Sequence, residues 1–221
     1  ELYEGEECYI RLNGNINSAK NIISNILLKI KSVGIPLGEI CSVDAGLHPG
    51  VDKISEKISK KYSEHNFRIN EGVFVLTSNE AEVFKDKEYL KPLYKSSDIP
   101  RWSPTQNSYY ILYSSPHKEI VDEKFISHIS KYRRILEDVR LKNNENIRNW
   151  KYLRRGVLNE KIYSNIPKII TPYRSNISRF AYTVNPFYAS QDVYFITDKK
   201  QGYSLKYILA LLNSSLYFLW L

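Results

Sequence analysis

Residues 166–197 read IPKIITPYRSNISRFAYTVNPFYASQDVYFIT. This stretch contains three short runs that are rich in β-branched and aromatic residues: Lys168–Ile170, Arg179–Thr183 and Asp192–Thr197. Turn-forming residues separate the runs, first at Pro172–Asn176 and then at Asn185–Pro186. Apolar runs of strand length between such turns predict a three-stranded antiparallel unit.

The segments before this unit predict further strands and a helix. Strands are expected at Cys8–Leu12, Pro36–Asp44, Gly72–Thr77 and Tyr109–Tyr113. A helix begins near Asn17 and stops at Gly34, because isoleucine and leucine recur between them at helical spacing. Residues 51–70 are polar and rich in lysine, so we expect an exposed insertion there.

Two later segments have the pattern of helices. Apolar residues from Val121 to Val139 step by four and three, which predicts one long amphipathic helix with a basic opposite face. Ser204 precedes the strongly apolar run Leu205–Leu221, which predicts a capped C-terminal helix that needs a covering partner. The fold class is therefore α+β, with a mixed, mainly antiparallel sheet and flanking helices.

The positive charge is concentrated in one part of the chain. The formal net charge is +8; residues 118–179 hold 15 Lys and Arg against 7 Asp and Glu, and the rest holds 17 of each. A localised basic surface is typical of proteins that bind a phosphate backbone, and such binding weakens as salt rises. The alternative is a solvated helix face, which alone accounts for the charges of residues 118–142.

Composition and chain ends limit the class of protein. Cys8 and Cys41 are far apart and have no histidine or cysteine at metal-ligand spacing, which indicates reduced thiols in a cytoplasmic protein. Neither a membrane span nor an export signal is predicted. The sequence begins at Glu1, contains no Met and stops inside the apolar run, so we expect a piece of a longer chain.

Catalytic signatures are not apparent. The glycine-containing turn Ala45–Gly50 lacks the residues of a nucleotide-binding loop, and the four histidines stand apart in the sequence. Asn185–Tyr188 resembles the Asn-Pro-Pro-Tyr signature with which amino-methyltransferases hold an exocyclic amine. Phe187 replaces the second proline and no Gly-rich cofactor loop precedes it, so we reject it as a catalytic motif.

Taken together, the motifs resemble a known family. The segments that carry the likeness follow one another in order: Ile35–Asp52, Leu93–Trp102, Tyr132–Arg155, Pro167–Ile196 and Ala210–Ser214. They are similar to the TaqI-like C-terminal specificity domain, the target-recognition part of adenine-specific DNA methyltransferases and of restriction enzymes that fuse methylation with cleavage. Lys53–Asn70 departs from the family pattern by being longer and more polar.

The resemblance implies that DNA recognition and methyl transfer belong to different domains. Residues 35–221 form a C-terminally truncated target-recognition domain for double-stranded DNA, and residues 1–34 are a strand and helix that join it to an upstream methyltransferase domain. That domain of a bacterial-type restriction–modification protein binds S-adenosylmethionine, and this chain itself needs no cofactor.

Loops at Lys95–Trp102, Trp150–Arg155 and Tyr173–Arg179 are expected to face DNA, because they interleave cations with aromatic residues. For Trp102, packing on its neighbours is a simpler expectation than stacking on a base. The candidate DNA-binding residues are Lys95, Ser97, Arg101, Trp102, Arg133, Arg134, Lys151, Tyr152, Arg154, Arg155, Tyr173, Arg174, Asn176 and Arg179.

Two other classes remain open at this stage. Basic faces with aromatic platforms also serve RNA-binding accessory domains. A protein-interaction module would use the apolar C-terminal helix as its functional surface. A self-contained enzyme is not favoured, since neither a cofactor loop nor an acid–base constellation is visible.

Overall fold

The computed structural model describes residues 17–156, 159–199 and 202–218. The strands in these residues are β1 (Cys41–Ala45), β2 (Val75–Leu76), β3 (Leu90–Tyr94), β4 (Tyr109–Leu112), β5 (Lys168–Pro172), β6 (Ala181–Thr183), β7 (Tyr188–Ala189) and β8 (Val193–Asp198). They form two four-stranded sheets, in the orders β1-β8-β5-β6 and β2-β4-β3-β7. The α+β class is confirmed, with two sheets in place of one. The strand expected at Cys8–Leu12 lies outside the described residues.

The first sheet contains the predicted three-stranded unit. β5 lies in its middle and pairs antiparallel with both β6 and β8, so that Ile169 stands opposite Tyr182 on one side and Ile196 on the other. β1 adds a fourth antiparallel strand next to β8. The segment predicted as a strand from Pro36 differs in its first half, because Leu37–Ile40 forms a helical turn.

The second sheet contains a strand that the sequence did not predict. β7 follows the Asn185–Pro186 turn and pairs in parallel with β3, whereas the other pairings are antiparallel. Phe187, just before β7, is 1% exposed and stacks on Tyr94 with ring centres 3.9 Å apart. Burial of this ring draws the segment from the first sheet to the second.

Helices pack around the sheets: α1 (Asn17–Val33), α2 (Leu37–Ile40), α3 (Glu56–Lys61), α4 (Ser78–Ala81), α5 (Glu123–Ser130), α6 (Arg133–Lys142), α7 (Leu205–Leu212) and α8 (Ser215–Phe218). α1 has the predicted limits. The single long helix expected over 121–139 is divided into α5 and α6 at Tyr132, whose φ of −104° and ψ of 7° leave the helical region. The break lets Tyr132 become fully buried between the two helices.

Residues 51–70 are mostly exposed, as expected, but three of them are buried. Val51, Ile54 and Tyr62 are buried in the larger of two hydrophobic cores. The Tyr62 hydroxyl donates to Asp138 Oδ2 on α6 at 2.6 Å. The sequence did not reveal these contacts, because the many lysines mask a small set of apolar residues that point inward.

The C-terminal helix is covered by the chain itself. Ser204 caps α7 as predicted, and Leu205, Ile208, Leu209 and Leu212 are buried against the first sheet. The Asn213 side chain then holds both backbone groups of Phe180, at 3.1 Å to the amide and 2.8 Å to the carbonyl. The apolar face of α7 is therefore covered within the chain, whereas Leu216 and Phe218 of α8 are 42% and 45% exposed. No helix among the described residues is long and apolar enough to cross a membrane.

Candidate nucleic-acid interface

The topology brings the predicted DNA-facing loops to one edge of the two sheets. The strand ends at this edge are paired as follows: Ala45 with Tyr194, Pro172 with Val193, and Tyr94 with Ala189. Parallel bridges join the sheets there: Leu47 with Ser190, and Trp102 with Ala181. We call the segments 46–52, 95–102, 154–156 and 173–179 the loop edge.

Hydrogen bonds lock two of these segments together. Four of them run between the β3–β4 loop and the β5–β6 region: from Arg101 Nε to the Ser178 carbonyl (2.7 Å), from Arg179 Nη2 to the Ser96 carbonyl (3.1 Å), from the Trp102 amide to the Phe180 carbonyl (3.0 Å), and from the Tyr182 amide to the Trp102 carbonyl (2.9 Å). The two loops therefore form one fixed surface. Segments that are 80 residues apart in sequence meet there because their strands end at the same edge.

The third loop is held by the glycine-containing turn after β1. The amide of His48 donates to the Arg155 carbonyl at 3.1 Å, and the amides of Arg154 and Arg155 donate back to the His48 carbonyl at 2.9 and 3.0 Å. The next contact links this turn to the first loop, because Lys95 Nζ pairs with Asp52 at 2.9 Å. The turn over 46–52 is thus the common support of the loop edge.

A buried ion cluster fixes the position of Arg154. Its side chain is 9% exposed, and Nε donates to Glu145 at 2.8 Å, while Arg140 donates to the other oxygen of the same carboxylate at 2.8 Å. Burial acts to raise the pKa of Glu145, but the hydrogen bonds from both guanidinium groups outweigh it and lower that pKa. Arg154 therefore supports the loop from inside and does not present a free donor at its surface.

His48 is a site residue that sequence reasoning missed. Arg154 Nη1 lies 3.0 Å from His48 Nε2, and since arginine only donates, the imidazole must be neutral and accept through Nε2. Burial lowers the pKa of His48, and the charges of Arg154 and Arg155 lower it further. The paired glycines at 46 and 50 marked this turn, but its partners come from residues about a hundred positions away.

Unpaired cations and exposed rings occupy the outer surface of the loop edge. No ion pair among the described residues involves Arg101, Arg155 or Arg174. The Arg174 guanidinium lies 5.4 Å from the ring centre of Tyr173, whose side chain is 54% exposed. Ser97 and Asn176 are exposed beside them. Guanidinium groups with free donors, together with open rings and a small amide, are suited to phosphates and base edges.

Trp102 is exposed, contrary to the packing role that we expected. Its side chain is 54% exposed, and no ring stacking or cation–π contact of Trp102 occurs within the described residues. Arg179, unlike Trp102, is half-buried, and its Nε has no hydrogen-bond partner among those residues. Arg179 and Lys95 therefore tie loops together, whereas Trp102 stands at the surface.

The remaining candidates have partners within the chain. Arg133 pairs with Glu137 at 2.7 Å and lies 5.5 Å from the ring centre of Trp150, and Arg134 pairs with Glu64 at 3.1 Å. Both residues belong to the first turn of α6 and to none of the segments of the loop edge. Lys151 pairs with Glu119 and lies over the ring of Tyr152, so both are engaged within the chain.

The groups that the loop edge presents are suited to binding a partner. No group of three or more His, Cys, Asp or Glu in the described part of the chain has the geometry of a metal site. Within Asn185–Tyr188, Phe187 is buried, and the half-buried Tyr188 stacks on Tyr163 with ring centres 5.3 Å apart. What the edge does offer is positive charge, hydrogen-bond donors and aromatic surface.

Comparison with known proteins gave one match. The family model described as the TaqI-like C-terminal specificity domain matches residues 91–221. The expected likeness of Ile35–Asp52 lies outside that range. No curated protein matches the chain.

Proposed function

The chain belongs to the family of TaqI-like C-terminal specificity domains, and from this membership we propose that its loop edge reads a short sequence in duplex DNA. The observation that carries the proposal is the convergence of Arg101, Arg155 and Arg174, none of them ion-paired among the described residues, on one edge built by both sheets. Family membership supports a role in target recognition, and the geometry supports the loop edge as the surface that performs it.

The proposed contacts follow from the chemistry of each side chain. Arg101 uses Nε for the Ser178 carbonyl, so its terminal N–H groups remain available for a phosphate. Arg155 and Arg174 are exposed and suited to phosphates or to the O6 and N7 atoms of guanine. Asn176 has the amide that pairs in bidentate fashion with adenine, and each such contact discriminates against a wrong base by about 1–3 kcal/mol.

The parent protein is also part of the proposal. We infer that this specificity domain serves an adenine-specific DNA methyltransferase of a bacterial restriction–modification system, with or without a fused endonuclease. The S-adenosylmethionine site and the methyl-transfer chemistry then belong to another domain of that protein. The present chain contributes target recognition and helps that domain to receive the extruded adenine.

Salt dependence tests the proposed surface. For the wild-type chain on a duplex of mixed sequence, the logarithm of the affinity should fall linearly with the logarithm of salt concentration, because bound cations release counterions from DNA. Replacing both Arg155 and Arg174 by Ala should reduce the slope by about 0.9 for each phosphate contact that is lost. Fluorescence anisotropy titrations at several salt concentrations measure both quantities.

The matched control removes the same charge elsewhere. Arg134→Ala together with Lys118→Ala deletes two exposed cations that pair with Glu64 and Glu88 and that belong to none of the segments of the loop edge. This variant should keep the wild-type slope. Equal effects of the two double variants would show that general charge, and not the loop edge, attracts DNA. A wild-type chain that does not bind duplex DNA at low salt would contradict the proposed function itself.

A further inference from the structure

We infer that Trp102 is a wedge that inserts its indole ring at one base step of the bound duplex and unstacks that step. The inference rests on the proposed function and adds to it a means of reading DNA by deformation. A pyrimidine–purine step is the expected point of insertion, because such steps unstack most easily. Sequence would then be recognised through Trp102 as well as through base-edge contacts.

Exposure of the ring is the first observation. An indole is among the largest apolar surfaces that a side chain can offer, and Trp102 leaves 54% of its side chain open to water. Most other rings of the chain are paired, as Tyr94 is with Phe187 and Trp150 with Arg133. The Trp102 ring is held in place but has no stacking partner among the described residues, and a base stacked on it would cover its exposed apolar surface.

Backbone strain is the second observation. Trp102 has a φ of +79°, in the left-handed region that bulky residues rarely adopt. The conformation is imposed by two hydrogen bonds to the neighbouring strand: the Trp102 amide binds the Phe180 carbonyl at 3.0 Å, and its carbonyl accepts from the Tyr182 amide at 2.9 Å. Glycine would satisfy the same backbone without strain. A strained tryptophan at this position therefore indicates a function for the ring.

The neighbouring cations are the third observation. Arg101 precedes the ring and is fixed through Ser178, and the Tyr173–Arg174 pair lies in the β5–β6 loop that carries Ser178. Cations near an insertion point can hold the phosphates while a base step opens. Apolar wedges of DNA-bending proteins act in this setting, where extra backbone contacts offset the cost of unstacking.

The loop that carries Trp102 is rigid, which is why we expect its ring to insert between bases and not to move aside and stack on them. The loop that carries Trp102 is tied to the β5–β6 region by four hydrogen bonds and cannot easily turn aside. A duplex that approaches the cations of this edge must therefore meet the protruding ring. The DNA, and not the loop, is the partner that changes shape.

The experiment uses the purified 221-residue chain and the duplex that it retains most strongly from a randomised pool. A series of copies of this duplex carries 2-aminopurine at successive positions, because the fluorescence of this base rises when it is unstacked. Wild type should increase fluorescence at one step only. Trp102→Ala should abolish the increase and weaken binding by about 5- to 150-fold, the range of one base–aromatic stack, whereas Trp102→Phe should retain much of both.

Two variants separate the wedge from a structural role. Trp102→Gly should bind as poorly as Trp102→Ala, yet its urea midpoint should be at least that of wild type because glycine relieves the strained φ. Tyr207→Ala, which removes another exposed ring from the N-terminal half of α7, should leave the fluorescence increase unchanged. A large loss of stability in Trp102→Gly would indicate a packing residue and overturn the inference.

The outcomes distinguish the inference from the function on which it rests. Sequence-selective, salt-sensitive binding without a fluorescence increase at any position would overturn the wedge and leave the proposed function intact. Failure of the chain to select or bind any duplex would refute both. An increase that survives in Trp102→Ala would assign the unstacking to another residue and also refute the wedge.

Discussion

At the scale of the residue, two neighbouring arginines have opposite roles. The side chain of Arg154 is 9% exposed and is fixed between Glu145 and His48, whereas Arg155 is exposed and holds His48 only through its backbone. Removing Arg154 would leave a buried carboxylate with one partner fewer, a change that costs stability. Arg155 is the member of the pair that can meet DNA, and it is therefore the one chosen for the salt experiment.

Lys168 is the second residue whose surroundings lead to a prediction. It is fully buried in β5, and its amine donates to the carbonyls of Ser164 and Ile166 at 2.5 and 3.2 Å. Burial lowers the pKa of Lys168 to about 8. Because the unfolded chain keeps the ordinary lysine pKa, it binds more protons than the folded chain between pH 8 and 10.5.

The consequence is a gain in stability with rising pH. The free energy of unfolding of wild type, compared with that of Lys168→Met, should increase by about 3 kcal/mol between pH 8 and 10.5. Below pH 8 the cost of the buried charge is fully present and the difference should be constant. Urea denaturation of both proteins at a series of pH values measures it, and parallel curves over the whole range would contradict the buried, perturbed amine.

The chemistry of the site residues was visible in the sequence, but their pairing was not. Arginines and tyrosines of the three predicted loops were identified as candidates. Whether a cation is free depends on carboxylates that are distant in sequence: Arg134 meets Glu64, whereas Arg174 meets no carboxylate in the described residues. His48 was not among the candidates, because nothing near it in the chain reveals its contact with Arg154.

At the scale of the element, the turn after β1 joins the two sheets. The amide of Gly46 donates to the Val193 carbonyl at 3.0 Å, and the amide of Leu47 donates to the Ala189 carbonyl at 2.7 Å. A Cβ at position 46 would lie 2.3 Å from the Ser190 carbonyl oxygen and 2.4 Å from that of Ala189. Both are backbone atoms, which can move only if the sheets separate.

Gly46→Ala should therefore destabilise the fold by about 1–3 kcal/mol or more, as expected when a close-packed site is overfilled. Gly38→Ala is the matched control, because a Cβ at Gly38 in the α2 turn has no neighbour within 4 Å. That variant should stay within about 0.5 kcal/mol of wild type. Urea midpoints of the three proteins measure the effect, and equal midpoints for both variants would disprove the close contact at this turn.

Elements were predicted well where their pattern is local. The limits of α1, the antiparallel pairing of β5 with β6, and the Ser204 cap all follow from short-range spacing. The pairing of β5 with β8, which places β5 in the middle of the three strands, was not predicted. The division of α5 from α6 and the pairing of β7 with β3 do not follow from such spacing, because both are imposed by burial of a ring, Tyr132 in one case and Phe187 in the other. Tertiary packing decided these two elements against a correct local pattern.

At the scale of the whole molecule, the family match and the fold have different limits. The match begins at residue 91, but β1 and β2 lie before it and are strands of the two sheets. The turn over 46–52, also outside the match, supports loops inside it through His48 and Asp52. Residues 41–90 are thus part of the structural unit that presents the loop edge.

The pairing of charged residues also depends on contacts across the whole molecule. Six cations of the basic segment 118–179 are in ion pairs: Lys118, Arg133, Arg134, Arg140, Lys151 and Arg154. Two of their partners, Glu64 and Glu88, come from outside that segment. The other nine cations of the segment have no ion pair among the described residues, and they include Lys124 of α5 and Lys142 of α6 as well as Arg155 and Arg174 of the loop edge. The basic character of this segment is therefore shared by the helices and the loop edge.

Selection from a randomised DNA duplex by the purified chain, at two salt concentrations and followed by sequencing of the retained molecules, tests the central claim most directly. The fold predicts that one short motif is enriched at both concentrations and that total retention falls as salt rises. Retention without any enriched motif would contradict sequence reading by this surface and leave only charge attraction. Absence of retention even at low salt would contradict DNA binding by the loop edge altogether.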